Sequence, residues 1–86
     1  GLALESCKRM NVTNCTILDC DSVGMLLKNV SKSRISGCLI SDNRPDTESV
    51  SLKVIGGSGN MIVNNLLATA PQIPENAARV SGNVHP

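Results

Sequence analysis

The sequence predicts an all-β solenoid: a parallel β-helix of about three rungs and a partial fourth, with little or no α-helix. Apolar residues recur at a fixed offset, because Cys15 falls on Cys38 and Ile17 on Ile40, each 23 residues further on. Within each repeat they alternate with polar residues, as in short strands with one inward face. The chain of 86 residues has no Phe, Tyr or Trp, so a narrow interior filled by aliphatic side chains, Met and Cys is expected.

The first repeat supplies three short strands. Leu2 and Leu4 alternate with polar or small residues, Val12 follows after a turn, and Cys15 and Ile17 form the third apolar pair. Turn-forming sequences such as "NVS", "GGSGN" and "SGN" separate the corresponding segments along the chain. Strands this short cannot bury a face alone, but they can when rungs stack in parallel about 4.8 Å apart.

The next repeats continue the pattern at different offsets. A shift of 27 aligns Met25 with Leu52, Leu27 with Val54, Ile35 with Ile62, Cys38 with Asn65 and Ile40 with Leu67. A final shift of 26 aligns Leu52 with Ala78 and Val54 with Val80, which predicts that the fourth rung begins at Ala78. The predicted inward columns, called the core ladder, are Cys15, Cys38 and Asn65, followed by Ile17, Ile40 and Leu67.

The repeats "GLALESCKRMNVTNCTILDC" and "GMLLKNVSKSRISGCLISDN", with "NMIVNNLLA", resemble the right-handed parallel β-helix of pectate-lyase-like proteins. The resemblance implies a right-handed coil and an Asn ladder, of which only Asn65 is present here. It also implies catalytic residues on one exposed sheet face, which here reads Ala3, Leu26, Lys53 and Arg79. That set is unsuited to catalysis, so a lyase or glycoside hydrolase would carry its catalytic residues outside this segment.

The whole of residues 1–86 is expected to form one β-helix segment, the C-terminal rungs of a longer solenoid. No polar cap precedes Leu2, and an open rung offers bare strand edges. We therefore expect the first rung to be covered by the remainder of the parent chain or by another copy in a homo-oligomer.

Charge and composition exclude two classes of partner. The net charge is +1, so no strong field attracts nucleic acid or a membrane surface, and aromatic side chains that stack on bases are absent. No apolar run approaches the ~18 residues that span a bilayer.

Acidic residues are predicted to gather at one corner, after the third strand of each rung. The set comprises Asp19, Asp21, Asp42, Asp46, Glu48 and Glu75. The corner also takes the insertions "NRPDTES" and "TAPQIPEN". Carboxylates on adjacent rungs could bind Ca²⁺ or act as an acid/base pair on a sugar. The alternative is a solvated outer turn with no cofactor.

Basic residues are predicted to form an edge between the first and second strands, made of Lys8, Arg9, Lys32 and Arg34. This edge could contact an acidic polysaccharide, or it could be a solvated turn. Glu5 and Lys28 share a register position and are expected to form an ion pair between rungs.

The cysteines fit no metal site, since their spacing lacks a CxxC pattern and His85 is distant. Cys15 and Cys38 are expected to be free inward thiols. The resulting hypothesis is a segment of an extracellular or virion protein that interacts with a polysaccharide. The alternative is a structural or oligomerisation module, such as part of a trimeric fibre, with Ala3 and Leu26 at a subunit contact.

Overall fold

The computed structural model describes residues 2–19, 23–41, 50–74 and 76–85. These ranges contain strands and turns but no helix, so none of them holds an apolar helix that could cross a membrane. The strands, in chain order, are β1 (Leu2–Glu5), β2 (Asn11–Thr13), β3 (Thr16–Leu18), β4 (Val23–Lys28), β5 (Arg34–Ser36), β6 (Leu39–Ser41), β7 (Val50–Ile55), β8 (Asn60–Val63), β9 (Leu66–Leu67) and β10 (Ala78–Ser81).

The strands form three sheets in which every pair is parallel. Sheet 1 has the order β1-β4-β7, sheet 2 the order β2-β5-β8-β10, and sheet 3 the order β3-β6-β9. Successive strands along the chain therefore lie in different sheets, and each group of three makes one rung. The predicted all-β parallel β-helix is confirmed.

The predicted offsets of 23 and 27 residues are confirmed by the pairing of the first three rungs. Leu2 pairs with Met25 and Met25 with Leu52 in sheet 1, and Ile35 pairs with Ile62 in sheet 2. In sheet 3, Ile40 lies between Ile17 and Leu67. These inward columns make a core of thin aliphatic layers, and the residues of the two middle rungs are almost completely buried: Met25, Leu27, Ile35, Ile40, Leu52, Ile62 and Leu67.

The fourth rung corrects the predicted offset of 26. β10 pairs with β8 in sheet 2, so Ala78 faces Asn60 rather than Leu52, and Val80 faces Ile62 rather than Val54. The residue that continues sheet 1 is Gln72, which bridges Lys53. Alternation has the same period in every sheet, so it cannot show which sheet a strand joins. Two prolines, Pro71 and Pro74, flank Gln72 and leave no alternating strand to detect there.

The same correction applies to "TAPQIPEN", which was predicted to be an outer loop. Gln72 donates a backbone hydrogen bond to Leu52 and accepts one from Val54, at 2.9 and 2.8 Å. Ile73 packs against the core and Ala77 is buried. Part of this segment is therefore the first side of the fourth rung. That rung reaches all three sheets, because Val84 bridges Leu66 in sheet 3.

Polar side chains complete the hydrogen bonding at two corners. Between sheets 2 and 3, Oδ1 of Asn65 accepts from the N–H of Cys38 at 2.9 Å, and Nδ2 donates to the carbonyl of Ile35 at 3.3 Å. Between sheets 1 and 2, Oδ1 of Asn60 accepts from the N–H of Ser33 at 3.1 Å, and Nδ2 donates to the carbonyl of Val30 at 2.8 Å. No buried side-chain nitrogen or oxygen of the described residues lacks a partner, as a stable interior requires.

Candidate functional site

The outer face of sheet 2 carries one column of exposed side chains across four rungs. Arg34 lies opposite Asn11 on one side and opposite Met61 on the other, and Met61 lies opposite Arg79. All four are exposed. The neighbouring positions Val12, Ile35, Ile62 and Val80 point the other way, because side chains alternate along a strand. Two arginines therefore share one outward column, with a methionine between them.

The turn that enters sheet 2 adds further cations. Lys8 bridges Ser31, and the N–H of Lys32 donates to the carbonyl of Ser58 at 3.0 Å. Arg9 and Lys32 occupy equivalent places in successive rungs with φ of 56° and 52°, and the third rung has Gly59 there, with φ of 70°. Residues with a Cβ seldom adopt this left-handed conformation, and Asn and Asp adopt it more readily than Lys or Arg. Two long cationic side chains thus project from a turn where a glycine would fit with less strain.

We call these five residues the basic face: Lys8, Arg9, Lys32, Arg34 and Arg79. All are exposed, and no ion pair joins any of them to another described residue. Within the described ranges the acidic residues are Glu5 and Asp19. Glu5 lies on sheet 1, where its Oε1 is 3.7 Å from Nζ of Lys28, and Asp19 follows sheet 3. The ion pair predicted for Glu5 and Lys28 is confirmed, and it leaves the basic face without a described counter-charge.

An open cleft of about 460 Å³ borders the basic face. Its lining includes Met61, Asn76, Ala78 and Arg79, with the backbone of Gly59 at one side. Asn60 also borders the cleft, but its side chain is committed to the corner hydrogen bonds with Val30 and Ala77. The cleft therefore offers one guanidinium and one amide to a ligand.

Arg79 is the residue that sequence reasoning misplaced. The offset of 26 assigned it to the face of Ala3, Leu26 and Lys53 on sheet 1, whereas its true neighbour is Met61 on sheet 2. The face of sheet 1 continues from Lys53 to Gln72 instead. The signal that could have found this is the match of Arg34-Ile35-Ser36-Gly37 with Arg79-Val80-Ser81-Gly82, which places Arg79 in the column of Arg34.

The predicted acidic corner falls mostly outside the described residues. Asp21, Asp42, Asp46, Glu48 and Glu75 are not among them. Asp19 is exposed, and its N–H donates to the carbonyl of Ser41 at 2.9 Å. The described residues hold no group of three metal-binding side chains.

Cys15 and Cys38 are free thiols in the core ladder, and Cys7 is also free. Cys38 is buried and Cys15 half-buried. Burial raises the pKa of the Cys38 thiol above its ordinary value of 9.0. Smaller interactions with Cys15 act in both directions: a backbone hydrogen bond lowers the pKa, and the Coulombic interaction and a side-chain hydrogen bond raise it. A thiol held in the neutral form is a poor nucleophile or metal ligand, so the structure gives Cys38 a packing role.

The outer face of sheet 3 is apolar over the last three rungs, in the column that begins with exposed Thr16. Leu66 lies between Leu39 and Val84, and Leu66 and Val84 are 52% and 62% exposed. Leu18, on the first rung, is 48% exposed. A cavity of about 490 Å³ lies along this face and is lined mainly by aliphatic side chains. Three of the large exposed apolar residues of the described chain, Leu18, Leu66 and Val84, therefore lie on or next to sheet 3. The subunit contact predicted at Ala3 and Leu26 on sheet 1 stays a prediction.

Comparison with known proteins identifies the architecture. A family model described as "Right handed beta helix region" matches residues 1–71. No curated protein and no solved structure matches the chain. The family match covers most of the 86 residues and agrees with the three parallel sheets and their successive rungs. The chain belongs to the right-handed β-helix family.

Proposed function

We propose that this β-helix segment binds an acidic polysaccharide through its basic face, outside the cell or on a virion, and carries no catalytic residues of its own. One observation supports the proposal above the others: the register of β10 brings Arg79 into the outward column of Arg34, beside the cationic turn of Lys8, Arg9 and Lys32. Five of the eight Lys and Arg residues of the chain thus share one side of the solenoid.

A repeating polymer suits this surface better than a compact ligand. The outward positions of sheet 2 recur once per rung, about 4.8 Å apart, which is close to the length of one sugar in an extended chain. Thr13 and Ser81 add exposed hydroxyl groups to the same sheet. A nucleic acid is disfavoured, because the chain has no aromatic residue on which a base could stack.

The described outer faces favour binding over catalysis. Hydrolysis of a glycosidic bond commonly requires two carboxyl groups, about 5–9 Å apart. The basic face has no described carboxylate, and the single carboxylate on sheet 1, Glu5, is paired with Lys28. An enzyme that contained this segment would hold its catalytic groups outside these described faces.

Binding to a matched pair of polymers tests the proposal. Titration calorimetry would compare polygalacturonate with its methyl ester, which has the same sugars without the charges. The acidic polymer should bind and the ester should not, and binding should weaken with added salt, because exposed charges are screened over about 8 Å at physiological ionic strength.

The double substitution of Arg34 and Arg79 by Ala should abolish most of this binding. Lys53→Ala is the matched control, because it removes one cation from sheet 1 and leaves the basic face intact. Equal binding of the charged and esterified polymers, or an equal effect of the control, would contradict the proposal.

A second candidate function is that of a structural or oligomerisation module, and the apolar outer face of sheet 3 favours it. Exposed Leu18, Leu66 and Val84 gain about 25 cal/mol for each Å² of apolar area that a second copy covers. Sedimentation at several concentrations should then show self-association that Leu66→Lys removes. A monomer at every concentration would rule this function out.

A further inference from the structure

We propose that Arg34, Met61 and Arg79 select a polysaccharide that carries its acidic group on every second sugar. This inference rests on the proposed function, and it names the class of polymer that the basic face fits. The three side chains belong to successive rungs of sheet 2 and follow one another in register. A glycan that lies along this column, parallel to the solenoid axis, meets a cation, an apolar side chain and a cation in turn.

The spacing sets the period of the polymer. Neighbouring rungs are about 4.8 Å apart, so the backbones of Arg34 and Arg79 are separated by about 10 Å. One sugar spans about one rung, and the two guanidinium groups therefore address sugars that are two positions apart. Arginine pairs well with a carboxylate or a sulfate, because its planar fork can donate two parallel hydrogen bonds.

The third rung is neutral along the whole of this side. In the third rung, Gly59 occupies the position that Arg9 and Lys32 have in the first two rungs. Met61 likewise occupies the position that Arg34 has in the second rung. The residue that continues the bridge from Lys8 and Ser31 is Ser58. Both columns thus lose their positive charge at the same rung, so an acidic group held there has no described cation in its own rung.

Met61 suits an uncharged sugar. Its side chain is 44% exposed and presents a flexible apolar surface that adapts to the C–H face of a ring or to an acetyl group. A carboxylate above Met61 would lose water without gaining a cation of its own rung, and it would share the two arginines with the carboxylates of the neighbouring sugars, which is unfavourable. The methionine therefore discriminates against a polymer that is charged at every sugar.

The test compares two acidic polymers of similar length. Hyaluronan alternates a uronic acid with a neutral N-acetylated sugar, and polygalacturonate has a carboxylate on every sugar. The wild-type chain should bind hyaluronan about fivefold more tightly for equal numbers of carboxylates, as expected for the difference of one weak charge contact. Met61→Arg should reverse the preference, and Met61→Leu, which keeps an apolar side chain, should retain it.

The outcomes separate this inference from the proposed function. If neither polymer binds, or if single-stranded DNA of equal charge binds as well, the proposed function fails and the inference with it. If both polymers bind equally and Met61→Arg changes neither affinity, the proposed function stands and the alternating selection is wrong. Unchanged far-ultraviolet circular dichroism of each variant shows that the exposed substitution has left the fold intact.

Discussion

Asn65 and Asn83 lie one rung apart at the corner between sheets 2 and 3, where Nδ2 of Asn65 donates a hydrogen bond to Oδ1 of Asn83 over 2.9 Å. The same Oδ1 accepts from the N–H of Asn65 at 3.0 Å, and Nδ2 of Asn83 donates to the carbonyl of Ile62 at 2.8 Å. Side-chain amides thus pair backbone groups at a corner. Cys38, in the same ladder, donates its N–H to Asn65.

Replacing Asn65 by Leu should strongly destabilise the protein. The side chain is 2% exposed, and its removal would leave the N–H of Cys38 and the carbonyl of Ile35 buried without these partners. An unsatisfied buried group costs about 1–3 kcal/mol, so the free energy of unfolding should fall by about 2–4 kcal/mol. Urea unfolding followed by circular dichroism measures it, since the chain has no aromatic residue for fluorescence.

Asn11→Ala is the matched control for this experiment. Asn11 is an exposed residue of β2, so its substitution should change the free energy of unfolding by no more than about 0.5 kcal/mol. Equal losses in the two variants would show that Asn65 does not have the structural role assigned to it.

Gly37→Ala should also destabilise the protein, for a different reason. Gly37 has φ of 66°, and a Cβ at this position would lie 2.5 Å from Oδ1 of Asn14 in the rung before. The left-handed backbone alone costs a residue with a Cβ about 1–2 kcal/mol. Thermal unfolding should therefore show a lower midpoint. The double variant with Asn14→Gly, which removes the contact but not the backbone strain, should recover only part of the loss.

The architecture could be predicted from the sequence because a β-helix repeats one simple constraint. The offset that aligns Cys15 with Cys38 and Ile17 with Ile40 also covers the other inward positions of these rungs, and the strands pair at this offset. The pairing of Glu5 with Lys28 followed from the same offset. In these rungs the alternation of apolar and polar residues along each strand agreed with the stacking of one rung on the next, and the prediction was correct there.

The candidate site could be predicted only in part. Lys8, Arg9, Lys32 and Arg34 lie within the two rungs whose offset is unambiguous, so their shared edge could be identified. Arg79 depended on the fourth rung, whose first side is reduced to the single bridge of Gln72. The second ladder, of Ser33 and Asn60, was missed because a buried Asn and a turn Asn look alike in a sequence.

The stability of the protein should fall as the pH rises above about 9, in part because of Cys38. Burial raises the pKa of this thiol in the folded state, so the unfolded chain releases the proton first. The thiol's contribution to stability is complete below the unfolded pKa and is lost as the pH rises through the folded pKa. The chain has no Tyr, so no phenol group titrates in this pH range.

Unfolding in urea at several pH values between about 8 and 10 measures this dependence. Cys38→Ala should lower the stability and flatten its decline with pH. Val30→Ala, which truncates another fully buried side chain, should lower the stability but keep the decline. The same slope in all three proteins would mean that Cys38 does not contribute to it.

Lys32→Gly should weaken the binding of an acidic polysaccharide without destabilising the fold. Lys32 has φ of 52°, and glycine already occupies the equivalent place in the next rung, at Gly59. Relief of the left-handed strain, about 1–2 kcal/mol, offsets the greater backbone freedom of glycine in the unfolded chain, about 0.5–1 kcal/mol. The free energy of unfolding should therefore stay within about 1 kcal/mol of the wild-type value.

The loss of the Lys32 charge should reduce the affinity for hyaluronan about three- to tenfold at low salt, and less as the ionic strength rises. Lys53→Ala, on sheet 1, should leave that affinity unchanged. Because Lys32→Gly keeps the fold, a lower affinity cannot be ascribed to unfolding. An unaltered affinity would show that Lys32 does not contribute to binding by the basic face. A large loss of stability would show that its side chain supports the turn.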